Sequence, residues 1–487
     1  MSIHQQVPEQ IVQYLKERGV RLPKFSELAE PWTISKDILD QLRSVDRHSA
    51  NPLNLFRVNW YNNNDTGQFN ATPDYIEIPK SFSGVNARII VMLGDQFPMI
   101  SAHKVLPAYT CLVPRLLQGT FDPTHHRAIW PSTGNYCRGG VAISRILGCR
   151  SVAVLPEGMS KERFDWLEEW VTEPSDIIRT YGSESNVKEI YDECAKQSKD
   201  AQNVIINQFA EFGNYLGHYY CTGRAASHLF QTLSDEHENT KLSAFVSATG
   251  SAGTIGAGDY LKEHHGSDIV AVEATECPTM LHNGFGEHNI QGIGDKHIPY
   301  IHNVMNTDCI VGISDQSSDG VYLLLNSDAG RNYLKSRQGL SEQELNDLSK
   351  LGLSGVANVL AACRYARHHN LEGDDIVVTV ATDSAELYKS QIDQTIDEKY
   401  HGTFEAVDAA EICGEHLRAI NNSELLELNR AERNRIFNLG YYTWVEQQDV
   451  DFEEFESRRS QSFWRSLHAN IEVWDQLIDD LNKRTAV

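Results

Sequence analysis

Between residues 72 and 400 the chain repeats one pattern, a short β-rich apolar run followed by a stretch of helical period. The runs are Ala87–Leu93, Ser151–Leu155, Asn203–Asn207, Ala244–Ala248, Ile269–Glu273 and Ile376–Ala381. A strand with one face in water alternates apolar and polar residues, whereas several of these runs are apolar throughout. They predict strands buried on both faces, and the repeated strand-then-helix order predicts an α/β fold with mainly parallel sheets.

The two ends lack that alternation. Gln10–Val20 and Ser35–Val45 have helical spacing, and Tyr61-Asn-Asn-Asn-Asp-Thr-Gly67 reads as a polar turn. The last segment reads as helical and acidic. Asp451 with Glu454 three residues on predicts a capped helix start. Leu467, Ile471, Trp474, Ile478 and Leu481 recur at helical spacing, which predicts an amphipathic helix packed on the body of the protein or on a sister subunit. The expected division is a helical extension over 1–70, a core over 71–400, and an acidic helical extension over 401–487.

Charge removes several classes of partner. The net charge is −24, so the surface is a poor match for nucleic acid or for an anionic membrane, both of which need clustered Lys and Arg. No apolar run approaches the roughly 20 residues of a membrane helix, and the start shows no basic-then-apolar signal sequence. The 9 cysteines are scattered without a CxxC pair. They predict buried small hydrophobes rather than a disulfide framework or a metal knuckle, no metal ligands, and a cytoplasmic location.

An acidic chain can still hold an anion on backbone N–H groups. Ser247-Ala-Thr-Gly-Ser-Ala-Gly-Thr-Ile-Gly-Ala-Gly258 follows a strand and leads into a helix. Successive unobstructed N–H groups there form a cradle for phosphate. Gly250, Gly253 and Gly256 with Glu273 imitate a dinucleotide fingerprint, but the spacing of the first two glycines departs from GxGxxG. The other reading is a cup for a single phosphate monoester.

Three more segments bear on that choice: Ser101-Ala-His-Lys104, Pro131-Ser-Thr-Gly-Asn-Tyr136 and Ala381-Thr-Asp-Ser-Ala-Glu-Leu-Tyr388. With them the chain resembles the fold type II pyridoxal phosphate enzymes, within the cysteine synthase and cystathionine β-synthase group. The resemblance runs from about Thr72 to Ser390. Thr72-Pro73, Ile78-Pro79-Lys80, Asn186-Val-Lys-Glu189, Asn207-Gln-Phe209, Gly292-Ile-Gly294 and Leu353-Ser-Gly-Val-Ala-Asn358 fall in register with the family's landmarks.

The resemblance implies a two-lobed core whose smaller lobe is inserted at about 105–230. It implies pyridoxal 5′-phosphate as cofactor, with Lys104 as the lysine that holds it and moves the substrate's α-proton. Asn135 would contact the cofactor's ring hydroxyl, and Gly250, Ser251, Ala252, Gly253 and Thr254 its phosphate. Ser384 would face the pyridine nitrogen. Ser132, Thr133, Gly134, Tyr136 and Gln208 would bind the substrate carboxylate. The implied reaction is β-elimination or β-replacement on a β-substituted L-amino acid through an aminoacrylate intermediate, with sulfide or a thiol as co-substrate. Release of a 2-oxo acid and ammonia by a lyase or deaminase uses the same residues, and a non-catalytic ligand sensor is the alternative of another class. The family habit implies a homodimer.

Four features depart from the family or stand beside its motifs. His103 precedes the lysine, where it is either an extra proton carrier or a hydrogen-bonded loop residue. Ala252 replaces a cup glycine. Cys137 reads as packing rather than as a nucleophile. Asp383 reads as a turn or cap residue, because alternation along an extended segment points it away from the site that Ser384 faces.

Overall fold

The computed structural model describes residues 6–235, 239–294, 296–419 and 421–486. Thirteen strands are found among them. A two-residue hairpin, β1 (Asn62–Asn63) with β2 (Gln68–Phe69), realises the predicted polar turn. A seven-stranded sheet runs in the order β13-β11-β10-β9-β12-β4-β3. Its middle is parallel: β11 (Cys309–Ile313), β10 (Asp268–Ala274), β9 (Lys241–Ala248), β12 (Asp375–Ala381) and β4 (Arg88–Leu93). β3 (Tyr75–Glu77) and β13 (Leu425–Glu427) close its edges antiparallel. A second sheet of four parallel strands has the order β7-β6-β5-β8, with β5 (Arg127–Pro131), β6 (Ser151–Pro156), β7 (Ile177–Thr180) and β8 (Asn203–Ile205).

Most of the apolar runs become interior strands because helices cover both faces, whereas Asn203–Ile205 is a half-buried edge strand. Ile89 to Met92 and Ile376 to Val378 are fully buried. Burying such a side chain contributes roughly 1.5–3 kcal/mol, so a run apolar on every position specifies a covered, central place in the sheet.

The termini fold onto the core and onto each other. Helices Glu9–Glu17 and Phe25–Ala29 pack against the last helix, Gln461–Thr485. The Asp475 carboxylate accepts the N–H groups of Phe25 and Ser26 at 2.6 and 3.1 Å. The stripe Ile471, Trp474, Ile478 and Leu481 lies in one apolar cluster with Ile11, Phe25, Tyr109 and Leu112. It therefore packs on the protein's own body.

Two local expectations are corrected. Asp451 does cap a helix, accepting from Glu453 and Glu454 N–H at 2.9 and 3.0 Å, but that helix ends at Ser457. The stripe sits on a separate helix whose cap is Ser460. The C-terminal segment is also not wholly helical, since β13 extends the large sheet. Three residues are too few to show a periodicity. Among the described residues no helix is long and apolar enough to cross a membrane.

Candidate active site

Every expected site segment follows a parallel strand. Lys104 follows β4, the 132–136 loop follows β5, Gln208 follows β8, the 249–254 loop follows β9, and 382–384 follows β12. In open α/β sheets the carboxyl ends of the strands frame the ligand crevice. Here they frame a narrow cavity lined by residues that include Lys104, Asn135, Tyr136, Gln208, Ser251 and Thr382.

Lys104 stands immediately before helix Val105–Leu117. Its Nζ donates to Ser251 Oγ at 3.2 Å and to Gln208 Oε1 at 3.3 Å. Burial lowers its pKa from 10.5 to about 8. An ammonium this far desolvated gives up its proton readily, which is what an amine that must attack a carbonyl requires.

The cup at 249–254 is built from backbone and small side chains. Ser251 Oγ also accepts from Asn214 Nδ2 at 3.1 Å, while Asn214 Oδ1 is buried with no hydrogen-bond partner. A Cβ on Gly253 would lie 1.9 Å from that oxygen, so only glycine fits. Ala252 has φ +60°, the left-handed region, which is where the usual glycine would rest without strain. Thr254 Oγ lies 3.4 Å from His103 Nε2. Backbone N–H groups and hydroxyls in a concave turn at a helix N-terminus fit a phosphate ester.

Behind the 132–136 loop lie full charges. Gly134 has φ +142° and opens helix Asn135–Leu147; a Cβ on it would lie 2.7 Å from Arg163 Cδ. Arg163 is completely buried. It donates to Gln291 Oε1 at 2.7 Å and Tyr388 Oη at 2.8 Å, and stands 3.5 Å from Glu184 and 3.8 Å from Asp383. Glu184 accepts Gly292 N–H at 2.9 Å and the Thr133 hydroxyl. Asp383 accepts from Asn135 Nδ2 and from Tyr388 Oη at 2.6 Å, and Arg138 donates to Asn135 Oδ1 at 2.9 Å. Burial pushes the carboxyls of Glu184 and Asp383 up from the ordinary range, against the pull of Arg163. Burial together with the neighbouring Arg163 brings Arg138 down to about 10.

The structure thus brings Lys104, Asn135, Ser132, Thr133, Tyr136, Gln208, Gly250 and Ser251 around one cavity. Gly134, Ala252, Gly253 and Thr254 lie in the same two loops without forming that lining. Ser384 is outside the lining as well, and Thr382 is within it. The expectation that Asp383 is a turn residue pointing away is overturned by its bonds to Asn135 and Tyr388. Alternation stops with β12 at Ala381, and the bridges Ala102–Asp383 and Leu351–Ser384 turn the chain out of the sheet. Cys137 Sγ donates to Gly134 O at 2.8 Å and burial pushes its thiol up to about 12, which makes it an inert packing residue.

Sequence reasoning missed Arg163, Glu184, Arg138, Tyr388 and Asn214. Arg163 had a signal: it shares a helical face with Phe164, Leu167 and Trp170, all buried. Among the described residues one group of potential metal donors also converges, His368, His369 and Glu427. It was not foreseen, and it sits at the far end of the helix that begins at Leu353.

The family model described as "Pyridoxal-phosphate dependent enzyme" matches residues 71–383. Cysteine synthase B of Campylobacter jejuni is 29% identical over 257 residues, 52% of this chain and 75% of that protein. Cystathionine beta-synthase of Saccharomyces cerevisiae is 26% identical over 283 residues, 55% of this chain and 51% of that one. A solved cysteine synthase from Entamoeba histolytica superposes with a TM-score of 0.56 at 22% identity, covering 72% of this chain and 94% of its own. A hydrogen sulfide-producing enzyme from Fusobacterium nucleatum does so with 0.53 at 23% identity, covering 65% and 96%.

Proposed function

Because the chain belongs to the pyridoxal-phosphate dependent enzymes, we propose that it catalyses β-replacement on a β-substituted L-amino acid, with sulfide or another thiol as the incoming nucleophile. The observation that carries this reading is Lys104: a buried amine of lowered pKa, between the cup at Ser251 and the Gln208 side of the substrate loop. The relatives named cysteine synthase and cystathionine beta-synthase support the same reaction class.

In this reading Lys104 holds the cofactor covalently, residues 250–254 hold its phosphate, Asn135 meets its ring hydroxyl, and Ser384 serves the pyridine nitrogen. The bound cofactor supplies the electron sink that makes the substrate's α-proton acidic. The substrate carboxylate docks at the N-terminus of helix Asn135–Leu147, where the backbone N–H groups of the 132–136 loop favour an anion. Thr133 reaches it less directly than expected, because its hydroxyl is given to Glu184. With the cofactor bound, Lys104 would be placed to take the substrate's α-proton. It would return that proton once the β-substituent has left with its bonding pair and the thiol has added at the β-carbon, the thiol's proton going to the leaving group. Nine buried, unpaired cysteines suit a reducing cytoplasm, and a homodimer is the proposed assembly.

The test is direct. Purified protein should carry a visible cofactor band that borohydride bleaches, and Lys104→Ala should lose the band's reducibility and the activity together. Supplied with an O-acylated serine and sulfide, the enzyme should yield cysteine. Pyruvate and ammonia as sole products, unchanged by sulfide, would instead make it a lyase.

A further inference from the structure

Behind the cup lies a buried polar chain that none of the expected roles uses. Trp60, from the N-terminal segment, donates its indole N–H to Thr222 Oγ at 2.8 Å. That hydroxyl also lies 2.8 Å from His218 Nδ1. The His218 ring meets the His103 ring edge-on, centroids 4.9 Å apart, and His103 Nε2 lies 3.4 Å from Thr254 Oγ. His103, His218 and Thr222 are all fully buried.

The proton order in this chain starts at its first link. An indole nitrogen can only donate, so Thr222 Oγ accepts there. Thr222 Oγ can then pass its own proton to His218 Nδ1, with the His218 proton on Nε2. His218 Nε2 and His103 Nδ1 are both buried with no hydrogen-bond partner, and they sit on the facing rings. A proton on His103 Nδ1 would be an orphaned buried donor, whereas on Nε2 it has Thr254 Oγ as its acceptor. Both rings are held neutral by burial and by the Lys104 charge, so neither supplies a second proton.

We infer that His103 is a positioning residue for the phosphate site: its Nε2–H donates to Thr254 Oγ and so turns the Thr254 hydroxyl proton into the cup. The inference rests on the reading of residues 250–254 as the phosphate site. It gives a role to the histidine beside Lys104, whose ring packs against His218.

The experiment measures the affinity of the cofactor-free protein for pyridoxal phosphate and for inorganic phosphate. His103→Val removes the donor; His103→Gln keeps an N–H at the place of Nε2. His103→Val should weaken both ligands about tenfold, the worth of one buried hydrogen bond, and His103→Gln should restore them to within about threefold. Thr254→Val should weaken them by a similar factor, with no further loss in the His103→Val/Thr254→Val double variant, as expected of one shared interaction. Selective ¹⁵N labelling of the unaltered protein should show His103 as the Nε2–H tautomer. Unchanged phosphate affinity in His103→Val, a glutamine no better than valine, or an Nδ1–H tautomer overturns the inference while leaving the cofactor reading intact. Failure of the unaltered protein to bind pyridoxal phosphate would instead sink the reading on which it rests.

Discussion

The two walls of the cavity are made by opposite means. The 249–254 wall uses backbone N–H groups, glycines and hydroxyls, with the Lys104 amine against Ser251. The 132–138 wall is backed by two arginines and two carboxylates, all buried, with Arg163 at their centre. Dipoles placed for a ligand cost little when one atom is lost. Charges buried against each other cost much, because each partner was desolvated in the expectation of the other. The phosphate wall therefore tolerates small changes locally, whereas the substrate wall stands or falls as a unit.

Replacing Arg163 should break that comparison most severely if it is wrong. Arg163→Met keeps the bulk and removes the charge, leaving Glu184 and Asp383 buried without their shared cation. Loss of one partner of a buried pair costs about 3–5 kcal/mol. Ser251→Ala, which removes hydrogen bonds from the other wall, should cost about 1 kcal/mol. Urea denaturation of the cofactor-free proteins gives both numbers. Equal costs would mean that the substrate wall is not electrostatically coupled.

Lys104 belongs to the phosphate wall yet behaves like a buried charge, and that sharpens the contrast. Its pKa falls from 10.5 to about 8 because burial disfavours the ammonium. The unfolded chain then binds more protons than the folded one between about pH 8 and 10.5. Stability accordingly rises with pH across that window, and the penalty is fully present below it. The shift corresponds to about 3 kcal/mol. Lys104→Met should therefore stabilise the cofactor-free protein at neutral pH by up to that amount while abolishing activity. A variant less stable than the parent at pH 7 would show that Lys104 is held by favourable contacts instead.

This division also explains what the sequence disclosed. The parallel sheets, the cup and Lys104 were legible because each is written locally: an apolar run, a glycine turn, a lysine after a strand. Glu184 and Tyr388 were not, since each joins segments more than a hundred residues away, at Gly292 and Arg163, and nothing in Ser183-Glu-Ser or Leu387-Tyr marks it. Asp383 was misread for a definite reason. Alternation holds only while the chain remains in a sheet, and β12 ends two residues earlier. Sequence periodicity reports which face is buried; it cannot report which charges meet after the strands end.

The last contrast lies within the cup itself, at neighbouring residues. Adding a methyl at Gly253 drives a Cβ to 1.9 Å from Asn214 Oδ1, so Gly253→Ala should cost about 1–3 kcal/mol and weaken cofactor binding. Removing a methyl at Ala252 should do almost nothing to stability. The left-handed backbone there costs an L-residue about 1–2 kcal/mol, which glycine would recover. Against that, glycine loses about 0.5–1 kcal/mol more chain entropy on folding. It would also give up a methyl, worth about 0.8 kcal/mol, buried in a cluster with Val187, Tyr191 and Phe209. The terms cancel to within about 1 kcal/mol. A thermal melt of Ala252→Gly should thus lie close to the parent, and a large stabilisation would show that the methyl packs against nothing useful. Alanine survives at a glycine position here because its strain is offset by the apolar cluster it touches, while Gly253 has no such freedom.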